Sequence, residues 1–248
     1  VAKVSGIGHH LFLDSTDLSG DVGSVETISG GRSPLDVTGI SSAAHERVHG
    51  LRHGELAFNA WWNFTGAHPV IDTMPTADRI ATYAAYTSAT GTAGDAAASI
   101  IGKQVEYGTQ RAADGSLMAT FRMESNAAPL EFGRLLTTGV QTMTGAANGT
   151  SIDRGVDWAS TSFGAAAYLH VFAFTGTSAA IVVKDSADNS TFASIGLAFT
   201  SVTGTTKERI QTSLTQTVRR YLRVEVTGTF SNLQFAVVVV PYDLSQAT

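Results

Sequence analysis

Alternation of apolar and polar residues is the strongest signal along this chain, and it marks strands. Over Glu55–Phe64, Leu56, Phe58, Ala60, Trp62 and Phe64 fall on one side, and Glu55, Ala57, Asn59, Trp61 and Asn63 on the other. A two-residue period predicts a half-buried strand. Arg79–Ser88, Ile100–Tyr107 and Ser116–Glu124 are further strand candidates. The last two flank Ala112-Ala-Asp-Gly115, whose Asp-Gly supplies a hairpin turn, and Leu117, Ala119, Phe121 and Met123 give the second of them an apolar face. Six more segments follow: Ala166–Phe174, Ala179–Asp185, Phe192–Phe199, Arg209–Thr212, Val218–Thr227 and Leu233–Tyr242. Their spacing predicts an antiparallel β-sandwich, with Val237–Val240 in a central strand buried on both faces.

Punctuation divides this pattern. Gly and Thr crowd Thr137–Thr150, which predicts a linker over 141–150 between a domain at 1–140 and another at 151–248. Leu18–Arg32 is Gly-rich and polar, a strand-loop expected to order only against a neighbour. Short helices are predicted at 41–49 and near His68–Met74, where Pro69 suits a first turn and Pro75 stops it. The expected class is therefore mainly β: an N-terminal sandwich or barrel with short flanking helices, then a C-terminal antiparallel sandwich.

Composition narrows the functions. The chain of 248 residues contains no Cys, which excludes disulfides, thiol nucleophiles and zinc-thiolate sites and fits assembly in a reducing cytoplasm. No apolar run approaches the ~20 residues of a membrane helix. The N-terminus lacks the basic and apolar regions of a signal peptide. Net charge is −5, carried entirely by residues 1–147. A nucleic-acid-binding stripe would be basic. The densest basic patch, Arg219-Arg220-x-x-Arg223, puts Arg219 and Arg223 on one strand face and Arg220 on the other, which reads as strand decoration. Gly-x-Ser-x-Gly elbows and phosphate-binding loops are absent.

One motif argues for catalysis. His45-Glu46-Arg47-Val48-His49 matches H-E-x-x-H, in which helical spacing aims two imidazoles at one zinc and the Glu serves as general base. That chemistry would make the chain a zinc metallohydrolase. Against it, Gly50 and Gly54 follow at once, and glycine ends helices. His53 stands at the wrong offset for a third ligand. The competing reading is a short connector helix, with His45, Glu46 and His49 rejected as zinc ligands and no cofactor expected. His9-His10 reads as an exposed pair, since adjacent residues point different ways.

The stretch Asp36-Val-Thr-Gly-Ile40, then Gly50-Leu-Arg52, then Gly54-Glu-Leu-Ala-Phe58 resembles the tail tube proteins of long-tailed bacteriophages. Lys103-Gln-Val-Glu-Tyr107, Ala113-Asp-Gly-Ser116 and Leu117-Met-Ala-Thr-Phe121 extend the resemblance, which covers about residues 8–137. It implies a major tail protein of the virion, assembled in the host cytoplasm. Copies would close into rings of six around a β-barrel lumen and stack into a tube bound by other tail proteins. DNA would pass through without specific binding, so an acidic lumen is expected. Glu55, Asn59 and Asn63 are the candidate lumen or interface residues. A capsid-decorating protein is the structural alternative.

The second region resembles discoidin-like or carbohydrate-binding sandwiches, on Val183-Lys-Asp-Ser-Ala-Asp-Asn-Ser-Thr-Phe192 and Arg219-Arg-Tyr-Leu-Arg-Val-Glu-Val226. If it binds a host-surface glycan, aromatics on exposed loops are required, and Trp158 and Tyr242 are the candidates. Otherwise it decorates the outside of the tube. Asp185, Asp188 and Asn189 form either a calcium site or a plain polar turn.

Overall fold

The computed structural model describes residues 6–155 and 160–243. In chain order the strands are β1 (His10–Leu13), β2 (Thr16–Asp17), β3 (Val22–Asp36), β4 (Arg47–Trp61), β5 (Arg79–Ala85), β6 (Ala96–Arg111), β7 (Leu117–Ser125), β8 (Glu131–Leu135) and β9 (Gln141–Met143). They continue with β10 (Ala147–Asn148), β11 (Ile152–Asp153), β12 (Ser160–Thr161), β13 (Ala165–Ser186), β14 (Ala193–Ala198), β15 (Thr206–Gln211), β16 (Val218–Arg219) and β17 (Tyr221–Pro241). Among the described residues one short helix, α1 (His68–Ile71), interrupts them. The mainly-β class expected from the alternation is what the chain adopts. Among the described residues no helix is long and apolar enough to cross a membrane.

Two compact units are interleaved along the chain. Unit 1 contains 1–19, 80–99 and 132–248, and unit 2 contains 20–79 and 100–131. This differs from a cut near residue 140.

Unit 1 is built on one ribbon. β13 and β17 pair antiparallel from Ala165↔Pro241 to Ser186↔Tyr221. Four strands had been expected here, with turns near residues 176 and 228. Instead the register slips around Gly176, and the ribbon bends without ending. Gly228 has φ +127°, a region that side chains rarely adopt. A Cβ there would also press into the Ser178 carbonyl, so the bend needs glycine. The bend brings one face of both halves onto a single core: Ala167 and Leu169 from the first half of β13, Ile181 and Val183 from the second. The sandwich is thus one folded ribbon.

The outer edges of that ribbon are covered piecemeal. β15 and β14 line β13. β11, β10, β9 and β8 line β17 in succession, at Leu222, Val226, Leu233 and Val238. The segment expected as a linker over 141–150 is therefore edge strand. Its Gly and Thr residues separate short strands and do not free the chain. Val237–Val240 is buried throughout, as a strand covered on both faces must be. A second run of pairing, β5–β1–β2, completes the unit.

Unit 2 is an antiparallel sheet in the order β3–β4–β7–β6. The predicted hairpin between β6 and β7 is present, with Gly115 at φ +93° and Ala112 and Ser116 closing the turn. Leu56, Phe58 and Ala60 lie on the buried face as expected, and Phe58 stacks on Phe121 at 4.6 Å between centroids. The strand ends at Trp61, so Trp62 and Phe64 leave that face. Trp62 stacks on His68, centroids 3.9 Å apart, and Phe64 is exposed.

α1 is only four residues long but firmly held. Arg79 Nη1 donates to the Val70 carbonyl and to Gln104 Oε1, at 2.9 and 2.6 Å, and Gln104 Nε2 donates to the Ile71 carbonyl. Two buried polar side chains thus satisfy the carbonyls that a helix end leaves open.

Candidate functional site

The zinc motif lacks the helix it requires. Residues 41–46 form the loop closing the β3–β4 ribbon, and His49 lies on β4 opposite Pro34. The helix expected over 41–49 is overridden by strand pairing. Gly50 and Gly54, read from sequence as helix stops, are points of close approach inside the strand. A Cβ on Gly50 would stand 2.8 Å from the Ser33 carbonyl, and one on Gly54 would run into the Leu130 backbone.

The loop has its own polar order. Asp36 accepts from the Thr38 amide and hydroxyl, at 3.0 and 2.5 Å. These bonds hold its carboxyl below the usual range. His45 Nδ1 meets the other Asp36 oxygen at 2.9 Å, and the Ser42 hydroxyl donates to Glu46 Oε1 at 2.8 Å. His45 and Glu46 therefore serve the turn. Among the described residues no group of three or more His, Cys, Asp or Glu side chains is placed to hold a metal.

The polar face of the unit 2 sheet is the richest cluster of charge. Cross-strand register sets Glu55 opposite Glu124, and Glu124 opposite Lys103. The next row sets Arg122 opposite Glu106. Arg122 donates to both Glu106 and Glu124, at 3.2 and 3.0 Å, and Lys103 turns away to Asp78 at 2.8 Å. Asn59 Nδ2 donates to Glu26 Oε1 at 2.5 Å. Four carboxylates thus share a face with one arginine. They are partly screened, and Arg122 offsets part of their repulsion.

The three candidate lumen residues separate. Glu55 and Asn59 occupy this face, both half-buried. Asn63 does not, because β4 ends two residues earlier. Its Nδ2 donates to Asp21 Oδ1 at 2.9 Å and its Oδ1 accepts from the Thr65 amide. Asp21 Oδ2 in turn accepts from the Ala67 amide at 2.8 Å. Asn63 organises the turn into α1.

In unit 1, Tyr242 is buried, and its hydroxyl is held by Arg209 at 2.9 Å. It offers no exposed ring to a sugar. Trp158, the other glycan candidate, lies outside the described residues. Asp185 is buried and accepts from the Arg219 amide at 2.7 Å. Asp188 accepts from the Ser190 and Thr191 amides, at 2.9 and 3.0 Å, with Asn189 left-handed. Those residues build a capped polar turn. Arg220 grips Asp153 with two bonds, at 2.6 and 2.7 Å, and Arg223 lies 3.9 Å over the Phe192 ring. The basic patch is strand decoration. The His9–His10 pair is not free: His9 Nδ1 meets the Tyr83 hydroxyl at 2.5 Å, and His10 stacks on Tyr86.

One buried group gave no signal in the sequence. His170 is fully enclosed, with Nδ1 2.6 Å from the Asp14 carbonyl and Nε2 2.9 Å from Thr82 Oγ1. A carbonyl only accepts, so Nδ1 carries the proton and Nε2 accepts from Thr82. Ser99 must then donate to Thr82, 2.8 Å away. Burial pushes the His170 pKa down to about 4, against the opposing pull of Asp14. Its place within a run of apolar β13 residues was the available clue.

No protein-family model matches the chain, and no curated protein matches it. Among solved structures, it is similar to the Dit (gp 19.1) protein of SPP1, described as a paradigm of the hub adsorption apparatus in phages infecting Gram-positive hosts. Identity is 13%, the match covers 97% of this chain and 100% of that one, and the TM-score is 0.35. Likeness at that level fixes neither fold nor function.

Proposed function

We propose that the chain is a structural subunit of a bacteriophage tail, and specifically a tail tube protein. In this reading its copies close into rings, six to a ring, and the rings stack around a lumen that conducts DNA. The observation that carries the reading is the polar face of unit 2. A sheet covered on one side by its own core presents Glu26, Glu55, Glu106 and Glu124 on the other. Such a surface repels phosphate and lets a duplex slide past it. The tail-tube resemblance over 36–64 and 103–121 coincides with the strands that build this face.

Work of this kind needs no reacting centre. Self-association is the activity, and Glu55 and Asn59 contribute by what they repel. Electron microscopy of the purified chain in negative stain tests the proposal: rings or tubes are expected, and persistent monomers would overturn it. Lumen charge has its own test. Tubes made with Glu55→Lys and Glu124→Lys should retain duplex DNA in a salt-dependent way, whereas the parent tubes should not. Equal retention by both would remove the acidic-lumen account.

A further inference from the structure

Unit 2 gathers uncovered apolar side chains at two places, at opposite ends of the same strand, besides the single exposed Met74 and Val105. At the distal end of the β3–β4 ribbon, Leu35, Val48 and Leu51 are exposed, Leu51 by 87%, and Ile40 in the connecting loop is wholly exposed. At the other end of β4, Trp61 is half exposed, Phe64 is 76% exposed, and Leu117 is partly so. Leu117 belongs with them because its carbonyl accepts from the Trp62 amide at 3.0 Å. From Arg47 to Trp61 an extended strand covers about 45 Å, so the two patches cannot cover one another.

Charge distinguishes the two ends. Residues 32–53 contain Arg32, Arg47 and Arg52 against Asp36 and Glu46, with His45, His49 and His53 among them. The rest of unit 2 holds nine carboxylates against four cations. Contact between two distal ends would bring like charges together. Contact between a distal end and the body of another unit 2 would match positive with negative, and apolar with apolar. The distal ribbon also has only two strands, too few for independent stability in water. An exposed apolar patch of this kind marks a surface meant for covering.

We propose that the distal end of the β3–β4 ribbon is an assembly arm that seats on the Trp61–Phe64 end of unit 2 in a second copy of this chain. The contact is heterologous, joining two different surfaces. Repeated about an axis it closes a ring, and otherwise it runs on as a filament. The inference rests on the self-assembly reading above and gives that reading its contact.

Because the chain has no Cys, engineered thiols report contacts without interference. Leu51→Cys and Phe64→Cys full-length chains are oxidised separately and as a mixture, under conditions where the parent assembles. The mixture should yield at least about ten times more covalent dimer than either alone. Dimer from Leu51→Cys alone would mean a symmetric contact and would overturn the proposal. Rings in the microscope with no mixed crosslink would also overturn it, while leaving the tail reading intact. Failure of the parent chain to assemble would sink both. As a second measurement, Ile40→Ser with Leu51→Ser should keep the parent's thermal unfolding midpoint and weaken association at least about tenfold. Unchanged association would count against the arm.

Discussion

The β13–β17 pair and the β3–β4 pair are both long antiparallel ribbons, yet they handle apolar residues in opposite ways. Neither β13 nor β17 exposes an apolar side chain. β3 and β4 bury theirs only where β7 lies alongside, and leave Leu35, Val48 and Leu51 open beyond it. Hydrogen-bonded pairing is equally regular in both, so pairing is not what separates them. The difference is cover. In the first ribbon a bend folds one face onto a core, and short strands close both edges. In the second the distal half has no layer against it within its own unit. A ribbon of the second kind is held by its base and completed by contact.

The largest expected effect contrasts those two ribbons directly. Phe235→Ala, in the folded core, should cost about 4 kcal/mol in denaturant unfolding. Leu51→Ala should change the stability of the unassembled chain by no more than about 0.5 kcal/mol. Comparable losses would break the contrast.

Acid tests the interior of unit 1. His170 is neutral when folded, with its pKa lowered to about 4, and titrates near ~6.5 when unfolded. Between those values the unfolded chain binds the extra proton, so stability is full above about pH 6.5 and falls as pH drops toward 4. The loss should total roughly 3 kcal/mol. His170→Gln should remove that slope, whatever it does to stability at neutral pH. An unaltered slope in the variant would assign the acid sensitivity elsewhere.

The bend is next. Gly228→Ala should cost about 2 kcal/mol through its backbone conformation and its approach to Ser178. Gly20→Ala, with open space around it, should be close to neutral. A smaller loss of about 1–2 kcal/mol is expected for Gln104→Leu, which strands the Ile71 carbonyl and one partner of Arg79. All three can be read from urea midpoints.

Strands were legible in the sequence wherever one face met a core, because burial imposes the two-residue period. Leu56, Phe58 and Ala60 announced β4, and Val237–Val240 announced a strand covered twice. Polar and glycine-rich segments were not legible in the same way. Gly50 and Gly54 looked like helix stops because glycine ends helices, yet here each admits a neighbouring backbone. The residues near 176 and 228 looked like turns because Gly, Thr and Ser make turns, yet here they bend a continuous ribbon. At the candidate surface, Glu55 and Asn59 followed from alternation alone. Asn63 lies off that face because alternation does not reveal where a strand stops. His170 stayed hidden because its partners, Asp14 and Thr82, are distant in sequence.

The position of β17 has a consequence for how the chain is made. This strand, ending at Pro241, supplies the pairing surface for β13, β11, β10, β9 and β8. Those five strands therefore wait, through synthesis, for a partner that emerges after them. The residues of unit 2, by contrast, have all been made by residue 131. Until residue 241 arrives, the apolar edge of β13 is open to other chains, which makes the interval of translation the time of greatest risk for aggregation.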